Sequence, residues 1–121
     1  MDNGKLYVVA TPIGNLGDIK FRAVDILKSV DLIICEDTRV TKILLDHYQI
    51  YKPLLVVNAH NESKSIEKIL TKLISGESCA LVSDAGTPCI SDPGVRLINK
   101  VLSENIEVVG IPGASAAILA L

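Results

Sequence analysis

The 121-residue sequence predicts an α/β fold, a mostly parallel five-stranded sheet with helices on both faces. Hydrophobic residues make up 49% of the chain and aromatics only 3%, so the core is built from Ile, Leu and Val, as in parallel sheets buried on both faces. Five short apolar runs, residues 6–10, 32–35, 54–57, 79–82 and 106–111, have the length and composition of buried strands. Helical patterns separate them, and this alternation implies right-handed crossovers between parallel strands.

The first run, "LYVVA", stops at Pro12, Gly14 and Gly17; behind Asp18, a candidate N-cap, Ile19, Ala23, Ile26, Leu27 and Val30 recur at helical spacing. The second, "LIIC", leads into "EDTR" and a helix beginning near Thr38. After the third run and "NAHNE", Ile66, Ile69, Leu70 and Leu73 form the next stripe, ended by Gly76. The fourth opens into "SDAGTPCISDPG", whose Asp92 and Pro93 suit an N-cap and first helical position, with Leu97, Ile98, Val101 and Leu102 facing inward. The fifth run leads to "PGAS" and then "AAILAL", a helix-like stretch with no polar cap, so the chain reads as cut before a further domain.

A net charge of −2 argues against a strong non-specific nucleic-acid binder, although Lys20 and Arg22, and Arg39 and Lys42, cluster enough to make a local basic face. Cys35, Cys79 and Cys89 are odd in number and lack C-x-x-C spacing, which suggests neither a disulfide framework nor a zinc site; two of them sit in apolar runs as core filler. No apolar run approaches the roughly 18–20 residues of a membrane span, and no signal peptide opens the chain, so a soluble cytoplasmic protein without a metal is expected.

In open α/β sheets, ligands bind beyond the carboxyl ends of the strands. Here each such end carries small, polar or turn-forming residues, whereas "SVD" and "SEN" at the other edge are unremarkable. "SDAGTPCISDPG" concentrates Gly, Pro and Asp so that a ligand can approach bare backbone. The first loop lacks both G-x-G-x-x-G and the P-loop pattern, so a nucleotide-like ligand without phosphates fits better, S-adenosylmethionine being one candidate among several. Glu36, at the end of the second run, also suits a ribose contact in a dinucleotide-binding module, while Glu36, Asp37 and Arg39 equally suit a local ion pair or a cap for the helix beginning near Thr38.

The segments "ATPIGNLGDIKFRAVDIL", "CEDTRVTKILL", "HNE", "LVSDAGTPCISDPG" and "IPGAS", in this order over residues 6–121, resemble the amino-terminal half of the ribosomal RNA small-subunit methyltransferases. These 2'-O-methylate a cytidine of 16S rRNA and form a family of the tetrapyrrole methylase-like class. The resemblance implies that residues 1–121 are the amino-terminal α/β domain of a two-domain, homodimeric, S-adenosylmethionine-dependent enzyme, inactive without its carboxy-terminal domain. It implies that Pro12, Ile13 and Gly14 floor the cofactor site, that Gly86, Thr87, Pro88 and Ile90 hold its methionine portion, and that Ser115 and Ala116 complete it. Asp84 is a further contact or a brace for the glycine loop.

His60, Glu36 and Asp37 are candidates for a general base, and Arg39 and Lys42 for phosphate contacts in RNA or, equally, for a solvated helix face. The chain departs from the family pattern at Asn58, where a histidine two positions before His60 is expected. A corrin or porphyrin methyltransferase of the same class is the alternative, although such enzymes carry "GPGD" and "GDP" loops where this chain has "TPIG" and "GTP".

Overall fold

The computed structural model describes residues 3–11, 21–36, 38–58, 60–84 and 92–111. Its elements alternate strictly: β1 (Leu6–Thr11), α1 (Phe21–Ser29), β2 (Leu32–Cys35), α2 (Thr38–His47), β3 (Leu54–Val56), α3 (Glu62–Ile74), β4 (Cys79–Asp84), α4 (Asp92–Ser103) and β5 (Val108–Ile111). The five strands form one parallel sheet in the order β3-β2-β4-β1-β5.

From β1 the chain steps to β2 and β3 towards one edge, then reverses through β4 to β5 at the other. Crossovers of one hand that reverse direction must change face. The core divides accordingly. Val9, Ile33, Ala80 and Val82 pack with Ala23 and Leu27 of α1 and Leu44 and Leu45 of α2. Leu6, Val8, Ile34 and Leu81 point the other way and pack with Ile69 and Leu73 of α3 and Leu97 and Val101 of α4. Successive residues of each strand therefore serve opposite layers, which explains why the strands read as continuous apolar runs rather than alternating ones.

Three helices end alike. Gln49 (φ 54°), Gly76 (φ 101°) and Asn105 (φ 59°) adopt the left-handed conformation just past α2, α3 and α4. The next N–H then folds back onto the helix: Ile50 donates to the Leu45 carbonyl (2.9 Å), Glu77 to Lys72 (3.0 Å) and Ile106 to Val101 (3.2 Å). This closure satisfies carbonyls that the helix leaves open. It also corrects the expected fifth strand: buried Ile106 closes α4, and β5 begins two residues later at Val108.

Leu102, expected to face inward, is 45% exposed. Leu97, Ile98 and Val101 define a stripe about 100° wide, and Leu102 falls beyond its edge at about 100° per residue. Ile26 and Ile66 lie half-buried against the core, and Cys35 and Cys79 are fully buried as expected. Asp18, Ile19, Cys89 and the run after residue 111 lie outside the described residues. Among the described residues no helix is long and apolar enough to cross a membrane.

The edge of the sheet where strands begin is cross-laced. Gly4 N–H donates to the Leu73 carbonyl (2.8 Å), Asp31 N–H to the Ser78 carbonyl (2.8 Å), Ser78 N–H to Asp31 Oδ2 (2.9 Å) and Lys5 N–H to Ser78 Oγ (3.2 Å). At Gly4 the backbone runs so close to Glu77 that a Cβ would collide with the Glu77 carbonyl. Gly4→Ala is therefore expected to destabilise the fold by about 1–3 kcal/mol in denaturant melts, the usual cost of overpacking.

Burial pushes the Cys79 thiol up to about 12 from an ordinary 9.0. The folded state holds that proton more tightly than the unfolded chain, so this contribution to stability is complete below about pH 9 and is lost as pH rises from 9 towards 12. Stability measured against pH is expected to fall more steeply above pH 9 in the wild type than in Cys79→Ala.

Candidate functional site

The strands end together at one rim, on Thr11, Cys35, Val56, Asp84 and Ile111. At its centre β4 and β1 lie side by side in register, Thr11 opposite Asp84. From these neighbouring ends the chain proceeds to helices on opposite faces, α1 with α2 and α4 with α3. Adjacent strands whose connections part in this way leave a crevice between their carboxyl ends, the standard ligand position of an open parallel sheet. The segments that the sequence marks most strongly, 12–20 and 85–91, flank that crevice in the chain.

Pro12, Ile13, Gly14, Gly86, Thr87, Pro88, Ile90, Ser115, Ala116 and Asp37 lie outside the described residues. Asp84 is placed through its backbone as the last residue of β4. Glu36 follows β2 directly, is exposed, and by extension of the Ile34–Leu81 register lies level with Ser83 on the adjacent strand. With strands about 4.8 Å apart, it stands one strand from β4 and two from β1.

His60 is exposed and follows β3, at the margin of the sheet and two strands, about 10 Å, from β4. Its loop is organised by two asparagines that composition alone did not single out as a pair. Asn58 Oδ1 accepts from the N–H groups of His60 (2.9 Å) and Asn61 (3.1 Å). Asn61 reaches back, its Oδ1 accepting from Asn58 N–H (2.9 Å) and its Nδ2 donating to the Val56 carbonyl (3.0 Å). Asn58 thus works as a turn-former, because an Asx side chain can accept from backbone two and three residues on. The spacing N-x-x-N after a strand is the signal that would have found it.

Next to this loop Arg96 Nη1 donates to both carboxylate oxygens of Glu62, at 2.7 and 2.9 Å. The pair ties the first turn of α3 to α4 below the rim. Arg39 and Lys42 lie on the exposed face of α2, in the same layer as α1 and beside the β3 margin. The structure therefore groups Glu36 with the central crevice and places His60, Arg39 and Lys42 at the margin. Among the described residues no group of three or more His, Cys, Asp or Glu is placed to hold a metal ion.

The family model for tetrapyrrole (corrin/porphyrin) methylases matches residues 5–121. A Xylella fastidiosa protein named ribosomal RNA small subunit methyltransferase I is 57% identical over 118 residues, covering 98% of this chain and 43% of that relative. Proteins of the same name from Mycoplasmopsis pulmonis and Escherichia coli O157:H7 are 54% and 52% identical, over 93% and 98% of this chain and 50% and 41% of their own lengths. The chain thus spans half or less of the length of these curated relatives. Among solved structures, a cobalt precorrin-4 methyltransferase superposes with a TM-score of 0.74 at 17% identity, over 96% of this chain and 48% of that one. A uroporphyrin III C-methyltransferase from Thermus thermophilus gives 0.68 at 15% identity, over 97% of this chain and 52% of that one. At such identities the likeness is one of fold.

Asn61→Ala removes the partners of the Asn58 N–H and the Val56 carbonyl together. It is expected to cost about 1–2 kcal/mol in thermal melts. Asn61→Asp, which keeps the acceptor and loses the donor, is expected to fall between it and the wild type.

Proposed function

Because this chain belongs to the tetrapyrrole (corrin/porphyrin) methylases, we propose that it is the amino-terminal, cofactor-side domain of a homodimeric methyltransferase that uses S-adenosylmethionine to methylate the ribose 2'-oxygen of a cytidine in small-subunit ribosomal RNA. The single observation that carries this reading is the identity of 49–57% to proteins named ribosomal RNA small subunit methyltransferase I, which runs over nearly the whole chain. The tetrapyrrole enzymes share the fold at 15–17% identity.

The position of the crevice between β4 and β1 suits the cofactor. Neighbouring strand ends with diverging connections open a slot at the sheet's centre, and Glu36 beside it brings a carboxylate, the group that accepts hydrogen bonds from ribose hydroxyls. Pro12, Ile13, Gly14, Asp84, Gly86, Thr87, Pro88, Ile90, Ser115 and Ala116 are the residues assigned to hold it. When bound, S-adenosylmethionine supplies an electrophilic methyl group and leaves as the neutral thioether.

The protein's part is alignment and proton removal. A ribose hydroxyl is a weak nucleophile at neutral pH, so a base within hydrogen-bond reach accepts its proton as the oxygen attacks. Glu36 and Asp37 follow the strand beside the central crevice, whereas His60 serves only a ribose held over the margin at β3. Arg39 and Lys42, facing outward on α2 at that same margin, are suited to neutralise RNA phosphates and fix the register of the strand.

The test is transfer of labelled methyl from S-adenosylmethionine to small ribosomal subunits lacking the modification, using the intact protein and mapping the labelled nucleotide. Label on one cytidine 2'-oxygen is expected. Absence of transfer to free and assembled rRNA, together with methylation of a corrin or porphyrin, overturns the RNA assignment. Binding of NAD without affinity for S-adenosylhomocysteine overturns the methyltransferase assignment altogether.

A further inference from the structure

α2 ends at left-handed Gln49, and the chain then turns back along the helix to enter β3. Two anchors fix this return. Ile50 is buried and its N–H donates to the Leu45 carbonyl at 2.9 Å, while the Pro53 carbonyl accepts from Ile33 N–H at 2.9 Å. Between these anchors Tyr51 stands 80% exposed. Folding gains little from an aromatic ring held in water on so fixed a pedestal, and Tyr51 and Ile43 of α2, itself 61% exposed, are two of the four exposed large hydrophobics among the described residues.

Tyr51 forms one wall of an open groove of about 390 Å³ against α2, together with Lys42, Lys52 and Asp46. On a chain of net charge −2, this groove carries two cations and one anion. One turn towards the rim, Arg39 extends the basic track along the exposed face of α2. Lysine is depleted in protein–protein interfaces, whereas an exposed aromatic set among cations is the pattern that holds single-stranded nucleic acid by stacking and phosphate neutralisation.

We propose that the groove between α2 and the 48–53 turn is a docking site for single-stranded RNA flanking the target nucleotide, one base stacking on Tyr51 and its phosphates lying over Lys42 and Lys52. The proposal deepens, and rests on, the RNA reading given above. The Asp46 carboxylate, one turn of α2 beyond Lys42, offers an acceptor to an exocyclic base amine. Arg39, Lys42 and Lys52 then lead the strand along the sheet margin towards the rim that carries Glu36 and His60.

The experiment measures binding of a labelled single-stranded 12-nucleotide RNA, and of a duplex of the same length, to the intact wild-type protein and to Tyr51→Ala, Tyr51→Phe and Lys52→Gln. Affinity for S-adenosylhomocysteine and melting temperature check that each variant is folded. Tyr51→Ala is expected to weaken single-strand binding by roughly five- to a hundredfold while changing duplex binding little, and Tyr51→Phe to stay within about twofold of wild type. Lys52→Gln is expected to lower the slope of log affinity against log salt by about 0.7.

Wild-type single-strand affinity in folded Tyr51→Ala and Lys52→Gln overturns the proposal. So does a wild-type protein that methylates small subunits yet binds no oligonucleotide, or a Tyr51→Ala defect confined to assembled subunits, which would mark a protein occupant. In each of these cases the RNA methyltransferase reading survives if methyl transfer does. A wild-type protein that neither binds nor methylates any RNA overturns both.

Discussion

Everything at the rim depends on β4 being inserted between β2 and β1. β4 is hydrogen-bonded along both sides, to Leu6–Thr11 on one and to residues 32–34 on the other, although about 40–70 residues of chain separate it from these partners. Until it is in place, nothing joins β1 to β2 and the sheet has no centre. Such non-local pairing delays the gain from hydrogen bonds until loop-closure entropy has been met, so the sheet is expected to form cooperatively rather than strand by strand. The same insertion sets Thr11 opposite Asp84, so that β1 and β4 end side by side.

The two edges of the sheet divide the work. Where strands begin, backbone and side chains from distant segments lace Gly4, Lys5, Asp31, Leu73 and Ser78 together, and the close approach at Gly4 leaves no room for a side chain. Where strands end, Asn58 and Asn61 organise their own turn, Val57 N–H donates across to the Cys35 carbonyl (3.0 Å), and the Glu62–Arg96 pair ties the start of α3 to α4.

The strands and helices were legible because burial on both faces writes itself as short apolar runs, and helix stripes as a period near 3.6. Cys35 and Cys79 are core as their runs implied, and Gly76 ends α3 with a left-handed turn. Left-handed Gln49 and Asn105 were not legible, since only glycine announces that conformation without a steric cost. Ile106 was read as strand because an apolar residue that closes a helix is indistinguishable, in sequence, from one that starts a strand. Strand order was beyond reach for a deeper reason: periodicity reports which way a side chain points and nothing about the neighbour it meets. The candidate site was accordingly legible as a set of loop compositions. That Glu36 neighbours β4 while His60 stands at the margin follows only from the order β3-β2-β4-β1-β5.

That order also bears on how one fold accommodates unlike acceptors. In the methyl-transfer reading proposed above, the donor needs alignment, and the centre of the sheet, where β4 and β1 are flanked on both sides, is the part suited to supply it. The acceptor's identity makes no demand on those central strands; it must be recognised by whatever lies beside the crevice. In this chain the side bounded by β3 is shaped by α2 and by the 48–53 turn, whose exposed residues Arg39, Lys42, Ile43 and Tyr51, with half-buried Lys52, do little for the core. Selection for folding acts weakly on such positions, since exposed side chains contribute little to stability. They are therefore free to vary with the ligand, while Leu6, Val8, Leu81 and their neighbours keep the central strand ends in one geometry.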